Sequence, residues 1–440
     1  MKKLKLPTGI DNFKKIRNNN YYYVDKTSLI EQILENGSEV TLFTRPRRFG
    51  KSLNMSMLQN FFEIGADLSI FEDLYISKNI QLCKEHLGKY PVISISLKGV
   101  DADSYPKACS QLVKIINREA RKFQFLLDSD KLSTVDKQLF SELLTKTMEE
   151  DTITSSIQEL TELLEIHYEQ QVVVLIDEYD VPLEKAYENN YYDKMILLLR
   201  NMFGNALKTN TSLAFGVLTG CLRIAKESIF NGLNNFKVYS ITNTEFDETF
   251  GFTDLELKEM LHYYEMDDKY DEVKEWYDGY HFGDSEVYCP WDVVNYCSDH
   301  LNNRNAKPKN YWMNTSGNSI INHFIDSINE PQKLTKIELE RLVNGGMVQK
   351  EINEELTYKE LYSSIDNLWS TLFMTGYLTQ YGQESDGRYC LAIPNREIRN
   401  IITERILTLF RNEVRKDGEM AEKFCEALLD GNADGVEKNT

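Results

Sequence analysis

Two short stretches of this sequence carry residue types and spacing suited to phosphate chemistry: Gly50-Lys51-Ser52 and, further along the chain, Asp177-Glu178. A phosphate-binding loop needs backbone N–H groups converging at a helix N-terminus, a lysine that reaches the β and γ phosphates, and a hydroxyl for Mg²⁺. Gly50-Lys51-Ser52 supplies the second half of the pattern GxxxxGK[S/T], with Arg45-Pro46-Arg47-Arg48-Phe49 before it and Leu53 after it. Arg45 stands where that pattern has its first glycine, so the loop must turn without it, and Pro46 offers a bend. Gly-Lys-Ser alone also fits a plain helix start with a surface lysine.

The later stretch weighs against that plain reading. Val172-Val173-Val174-Leu175-Ile176-Asp177-Glu178 has the form of a Walker B strand. An acidic pair at the carboxyl end of a buried parallel strand would put Asp177 beside the metal and Glu178 where it polarises an attacking water. Thr219, ending the next apolar run, is a candidate to sense the γ-phosphate. Arg223 is a candidate to stabilise charge on the transferring oxygens, in its own chain or across a subunit boundary. It also fits a surface arginine paired with Glu227 at i,i+4. Arg47 and Arg48 carry guanidinium forks close to the phosphate path, with carboxylate pairing as the alternative. Tyr23 and Asp25 are candidates for the base or ribose end, but a packed tyrosine and a capping aspartate before Thr27 and Ser28 explain them equally.

Positioning these residues requires a strand before Arg45 and another before Asp177. Val40–Thr44 is β-prone, and Leu53, Met57, Leu58 and Phe61 recur at helical spacing after the loop. Further strands are expected at Val92–Leu97, Gln171–Ile176, Leu213–Thr219 and Lys237–Ile241. One long helical stretch is expected between the second and third strands, up to about Tyr168, and another helix over about Tyr192–Lys208. Strands alternating with helices imply an α/β fold, a parallel sheet with helices on both faces. From Phe252 the chain turns to helices rich in Glu, Lys and Tyr, with aromatic punctuation over Trp276–Phe282 that reads as a packed turn. Near the end, helix (Leu368–Tyr377), strand (Tyr389–Ile393) and helix (Arg396–Phe410) suggest a winged-helix-like element. The expected division is a core over 1–250, a helical lid over 251–330, a winged-helix-like region over 331–430 and a frayed tail over 431–440.

Composition narrows the class. With 42% apolar and 27% charged residues over 440 positions, the chain is globular and long enough for more than one core. A formal charge of −19 opposes non-specific attraction to nucleic acid, so any such contact must be local. The mix of Arg396, Arg399 and Arg405 with Glu397 and Glu404 suits a solvated face as well as a DNA contact. No apolar run approaches the roughly 20 residues that cross a bilayer, and no apolar signal segment follows the first lysines, so a cytoplasmic protein is expected. Seven scattered cysteines without a CxxC pair suit free thiols, and six dispersed histidines without HxxxH or HExxH give little support for zinc.

Taken together, Tyr23-Val24-Asp25-Lys26-Thr27, Arg45 through Ser52, Ile176 through Asp180, Leu218-Thr219-Gly220 with Arg223 through Ser228, and Trp276 through Tyr280 resemble one bacterial family. It is the AAA-ATPase-like family whose members are usually fused to a PD-(D/E)XK nuclease-superfamily domain. The likeness runs from about Leu6 to at least Tyr296, and it implies that a P-loop lacking its first glycine is normal. It also implies a P-loop ATPase core of AAA-like type, a helical lid and winged-helix-like region, ATP and Mg²⁺ as ligands, and a nuclease-like domain at the C-terminus. This sequence departs at the last point: after Arg396 there is no strand with an Asp followed by a Glu-x-Lys strand. Either that domain was lost or the chain is a piece of a longer product. The expected function is Mg-dependent ATP hydrolysis that switches a protein partner or a C-terminal effector. A nucleotide-locked interaction module with little turnover is the alternative. Oligomeric state is open, and a ring would need an arginine in trans, for which Arg223 is the nominee.

Overall fold

The computed structural model describes residues 3–223, 235–312, 333–361 and 363–407. Five strands form one sheet: β1 (Val40–Thr44), β2 (Val92–Ser96), β3 (Val172–Asp177), β4 (Leu213–Gly220) and β5 (Phe236–Tyr239), in the order β2-β3-β4-β1-β5. Every pairing is parallel. The cause is readable in the strands themselves. All five residues of β1 and all six of β3 are buried, as a strand covered on both faces requires. Alternate residues divide between two cores. Leu42, Val172, Val174 and Ile176 face one, packed under the helices Tyr105–Ala120, Glu150–Tyr168 and Tyr192–Leu207. Phe43, Val173, Leu175 and Val217 face the other, against Met57, Leu58 and Phe61 of the helix Lys51–Phe62. This is the α/β arrangement of a P-loop NTPase-like protein, with helices around a parallel sheet.

Strand order decides what can meet. Because β4 lies between β1 and β3, the carboxyl ends of all three stand side by side. Phe43 is level with Thr219, and Ser96 is level with Asp177.

Two expectations need correction. The single long helical stretch before β3 is instead the helix Tyr105–Ala120, a 3₁₀ segment Arg121–Asp128, and the helices Thr134–Leu143 and Glu150–Tyr168. The apolar period hides a break at Ser133, which starts a new helix through a capping box with Asp136. The aromatic turn after Trp276 is also a strand pair: β7 (Tyr280–Phe282) and β8 (Ser285–Tyr288) join β6 (Phe252–Thr253) in an antiparallel sheet. Each strand was too short to show a period.

Beyond residue 332, the helices Lys333–Val343 and Ile365–Met374 flank a second antiparallel sheet of β9 (Val348–Lys350), β10 (Thr379–Gln383) and β11 (Tyr389–Ala392). A helix follows over 396–407. The expected end of that helix at Phe410, the frayed tail and Glu227 all lie outside the described residues. Trp369, Phe373, Tyr377 and Ile398 share one apolar cluster with Phe49 and Val173. Contact with the loop after β1 is close, since a Cβ on Gly376 would lie 3.0 Å from Pro46 Cβ. Among the described residues no helix is long and apolar enough to cross a membrane.

Candidate functional site

The chain leaves β1 at Thr44 and enters the helix Lys51–Phe62 through a loop whose tightest points are Arg48 (φ +75°) and Gly50 (φ +82°). Left-handed backbone costs glycine little, which accounts for Gly50 as the residue before the helix. What replaces the missing first glycine is a side chain. Arg45 is fully buried and its guanidinium donates to the carbonyls of Thr44, Tyr239 and Phe246 at 3.0, 2.8 and 3.1 Å. Its ring neighbours are Phe250 and Phe282. Burial pulls Arg45 down to about 9, so it remains a cation at neutral pH. Arg45 thus ties the loop to β5 and the following turn, and its expected place among ligand-binding residues is corrected to that of an anchor.

Lys51 is enclosed. Its Nζ donates to the carbonyls of Arg45 and Pro46, each at 3.1 Å, and stands 3.7 Å from Glu178 Oε1 and 3.5 Å from Cys221 Sγ. Burial alone would lower the Lys51 ammonium, yet the titratable groups Cys221, Glu178, Asp180 and Asp177 around it raise it above its ordinary value. Ser52, next on the helix, donates through Oγ to Asp177 Oδ2 at 2.7 Å, and Thr219 Oγ1 donates to Asp177 Oδ1 at 2.6 Å. Ser96 Oγ lies 3.3 Å from the same Asp177 Oδ2. Burial and Glu178 push the Asp177 carboxyl up, while the Thr219 and Ser52 hydroxyls pull it back. Glu178 sits at φ +53° and its N–H donates to Thr219 Oγ1 at 3.3 Å. A non-glycine residue in this region is uncommon and clusters at functional positions.

Behind this row, Asp180 accepts from the N–H groups of Cys221 and Leu222 at 2.8 and 3.0 Å. Burial and Glu178 raise its carboxyl to about 7. The crowding explains Gly220: a Cβ there would lie 2.5 Å from the Tyr179 ring.

In front of the row lies a cavity of about 780 Å³, within the size range of small-molecule sites. Its wall includes Arg47, Arg48, Phe49, Gly50, Lys51, Ser52, Leu53, Glu178 and Tyr23. Asp177 and Thr219 stand one layer back, joined to the wall by Ser52 and by the Glu178 N–H. Arg47 makes a two-point pair with Glu184 at 2.9 and 2.8 Å. Arg48 lies 4.0 Å over the Trp291 ring and donates to the Tyr311 carbonyl.

Besides Asp177 and Thr219, four expected residues fall outside the wall. Pro46 contributes a carbonyl to Lys51 from behind. Asp25 has one oxygen on the N–H and hydroxyl of Thr27 and the other on the Tyr75 N–H, so it holds a turn and does not face the cavity. Arg223 pairs with Glu355 at 2.5 Å, a partner 132 positions away that no spacing rule reaches. Arg45 is the anchor already described.

Conversely, the far end of the cavity is apolar and was not foreseen. Pro7, Ile10, Tyr22, Val24, Phe252, Met260, Trp291 and Val294 line it. They come from the lead-in, from β6 and from the helices after it, so no local motif marks them. Only Pro290 at the first turn of the helix Pro290–Asn302 hints at a fixed place for Trp291.

The sequence profile of the AAA-ATPase-like family, described as predicted AAA-ATPase, matches residues 7–230. That is more than half of the chain, and it holds the loop, β1 to β4 and their carboxyl ends. The chain belongs to the AAA-ATPase-like family. Its sequence is also similar to an uncharacterized protein in the vnfD 5′ region of Azotobacter chroococcum mcd 1. The two are 25% identical over 442 residues, spanning 99% of this chain and 76% of the relative. In this AAA-ATPase-like protein, Met260, Trp291 and Val294 complete the cavity from outside the family-matched segment.

Proposed function

We propose that this protein binds ATP with Mg²⁺, hydrolyses it, and uses the cycle as a conformational switch for a protein partner or an attached effector. The observation that carries the reading is the convergence of Lys51, Ser52 and Glu178 on one cavity, with Asp177 directly behind Ser52 and bonded to it. In open α/β sheets ligands settle outside the carboxyl ends of the strands. The triphosphate would lie along Gly50 to Ser52 at the helix N-terminus, and the base among Tyr22, Tyr23, Val24, Met260 and Trp291.

Ser52 Oγ and Asp177 Oδ2, 2.7 Å apart, are hard oxygen donors that fit magnesium, a cation that takes few protein ligands and keeps waters. Magnesium bound there would neutralise phosphate charge. Lys51 would exchange the Arg45 and Pro46 carbonyls for phosphate oxygens. Glu178, held by the Thr219 hydroxyl through its N–H, would orient the attacking water and accept its proton. Thr219 keeps the Asp177 carboxylate oriented.

Residues 251–330 act as the lid in this reading, because Phe252, Met260, Trp291 and Val294 close the apolar end. The C-terminal region, read as winged-helix-like, receives the signal through three contacts. Glu355 pairs with Arg223, Glu354 accepts from Thr242 Oγ1 at 2.8 Å, and Tyr358 Oη reaches the Asp180 carbonyl at 3.4 Å. A second reading, a module that holds nucleotide and scarcely turns it over, draws on Arg47 being already engaged by Glu184. Steady-state phosphate release separates the two, and calorimetric titration with Mg-ATP tests whether nucleotide binds at all.

A further inference from the structure

Six cations line the cavity: Lys26, Arg47, Arg48, Lys51, Lys98 and Lys185. Five are engaged. Lys26 pairs with Glu256 at 2.6 Å, Arg47 with Glu184, and Lys185 with Glu188 at 2.9 Å. Arg48 lies over Trp291, and Lys51 holds two loop carbonyls. Among the described residues of the wall, Lys98 is the cation with no carboxylate, carbonyl or ring partner.

Its place is fixed by the fold. β2 ends at Ser96, level with Asp177 on β3 and in contact with it through Oγ. One 3₁₀ turn, Leu97–Gly99, follows and closes with the Val100 N–H on the Leu97 carbonyl at 2.9 Å. Leu97 and Val100 are both fully buried, so they anchor the turn from either side and leave Lys98 exposed at the rim. Asp101, three residues on, also lines the rim and makes no ion pair with it. A lysine held two residues past the strand end beside Asp177 is therefore at the triphosphate end of the cavity, away from the apolar end. Every other cation must break a contact to meet an added anion; Lys98 need not.

We propose that Lys98 is a specificity-determining ligand of the terminal phosphate, so that it distinguishes nucleoside triphosphate from diphosphate. The inference rests on the nucleotide reading of the same cavity. A charge-assisted hydrogen bond to the third phosphate strengthens binding of the triphosphate alone, because the diphosphate has no oxygen at that position.

The test is calorimetric titration of the full chain with the imido analogue of ATP and with ADP, both with Mg²⁺, for wild type, Lys98→Ala and Lys98→Arg. Lys98→Ala is expected to weaken the triphosphate analogue roughly tenfold or more while ADP affinity stays within about twofold. Lys98→Arg restores most of the difference. The exposed position predicts unchanged melting temperatures without nucleotide for all three. Equal affinities in Lys98→Ala and wild type, or equal loss for both nucleotides, overturns the assignment of Lys98. If wild type binds neither nucleotide, the nucleotide reading itself fails, which is a separate result from the failure of Lys98 alone.

Discussion

Thr219 Oγ1 donates to Asp177 Oδ1 across 2.6 Å, and the same hydroxyl accepts the N–H of Glu178. Both groups are buried, and the contact exists because β4 is inserted beside β3 with its end in step. One hydroxyl therefore orients both acids of the candidate site. Thr219→Val keeps the branched shape and removes the hydroxyl, leaving a buried carboxylate oxygen without its donor. Denaturant unfolding should show a loss of about 1–3 kcal/mol. Phosphate release should fall as well, and Thr219→Ser should recover most of both. Unchanged stability and turnover in Thr219→Val would remove the orienting role.

Glu178→Gln preserves shape and removes the base. Binding of ATP should persist while phosphate release drops by roughly 10²–10⁴-fold, the usual contribution of a positioned general base. Equal rates in the two proteins would contradict the assignment of Glu178.

Gly279 tests the contact between the aromatic turn and the C-terminal region. It adopts φ +87°, and a Cβ there would lie 2.1 Å from the Pro394 carbonyl oxygen, a backbone atom that cannot rotate aside. The neighbouring Asn395 amide also donates to the Asp278 carbonyl at 2.9 Å. Gly279→Ala should cost at least about 2 kcal/mol in unfolding free energy from clash and left-handed strain combined. A neutral variant would show that the turn and residue 394 do not meet in this way.

A pH dependence follows from Asp292 and Glu397, two buried carboxyls from different helices. Asp292 is 0% exposed, Arg48 and Cys289 face the pair, and Glu397 accepts the Trp312 N–H at 2.7 Å. Burial raises Asp292 to about 7, and burial together with Asp292 raises Glu397 to about 10. Raised carboxyls bind protons in the folded chain that the unfolded chain has released. The pair's stabilising effect is thus complete below about pH 4 and is lost as pH rises through neutrality and beyond, as the two shared protons come off in turn. Melting of wild type at pH 5 and pH 8 should show the decline, and Asp292→Asn should decline less. Parallel slopes in the two proteins would show that Asp292 does not titrate in that window.

The five parallel strands are readable as short β-prone runs, most plainly Val172–Ile176, which is apolar throughout. Their spatial order was not, since pairing of β1 with β4 depends on partners more than 170 positions apart. Local patterns single out Ser52, Asp177 and Thr219 one by one, and the hydrogen bonds that join them appear only in the fold. Arg45 misled because an arginine in a phosphate loop has the same sequence appearance whether it faces the ligand or three carbonyls behind it. Trp291, Met260 and Ile10 share no spacing, and only the folded chain brings them to one wall.

The most direct measurement is calorimetric titration of Mg-ATP into wild type and Lys51→Ala, run beside thermal melting of both. Saturable heat and a raised melting temperature for wild type, with neither response in a folded Lys51→Ala, is the predicted result. Absence of heat and of thermal protection in wild type, or equal binding by Lys51→Ala, would contradict the claim that Lys51 and the acids at the carboxyl end of β3 surround one triphosphate.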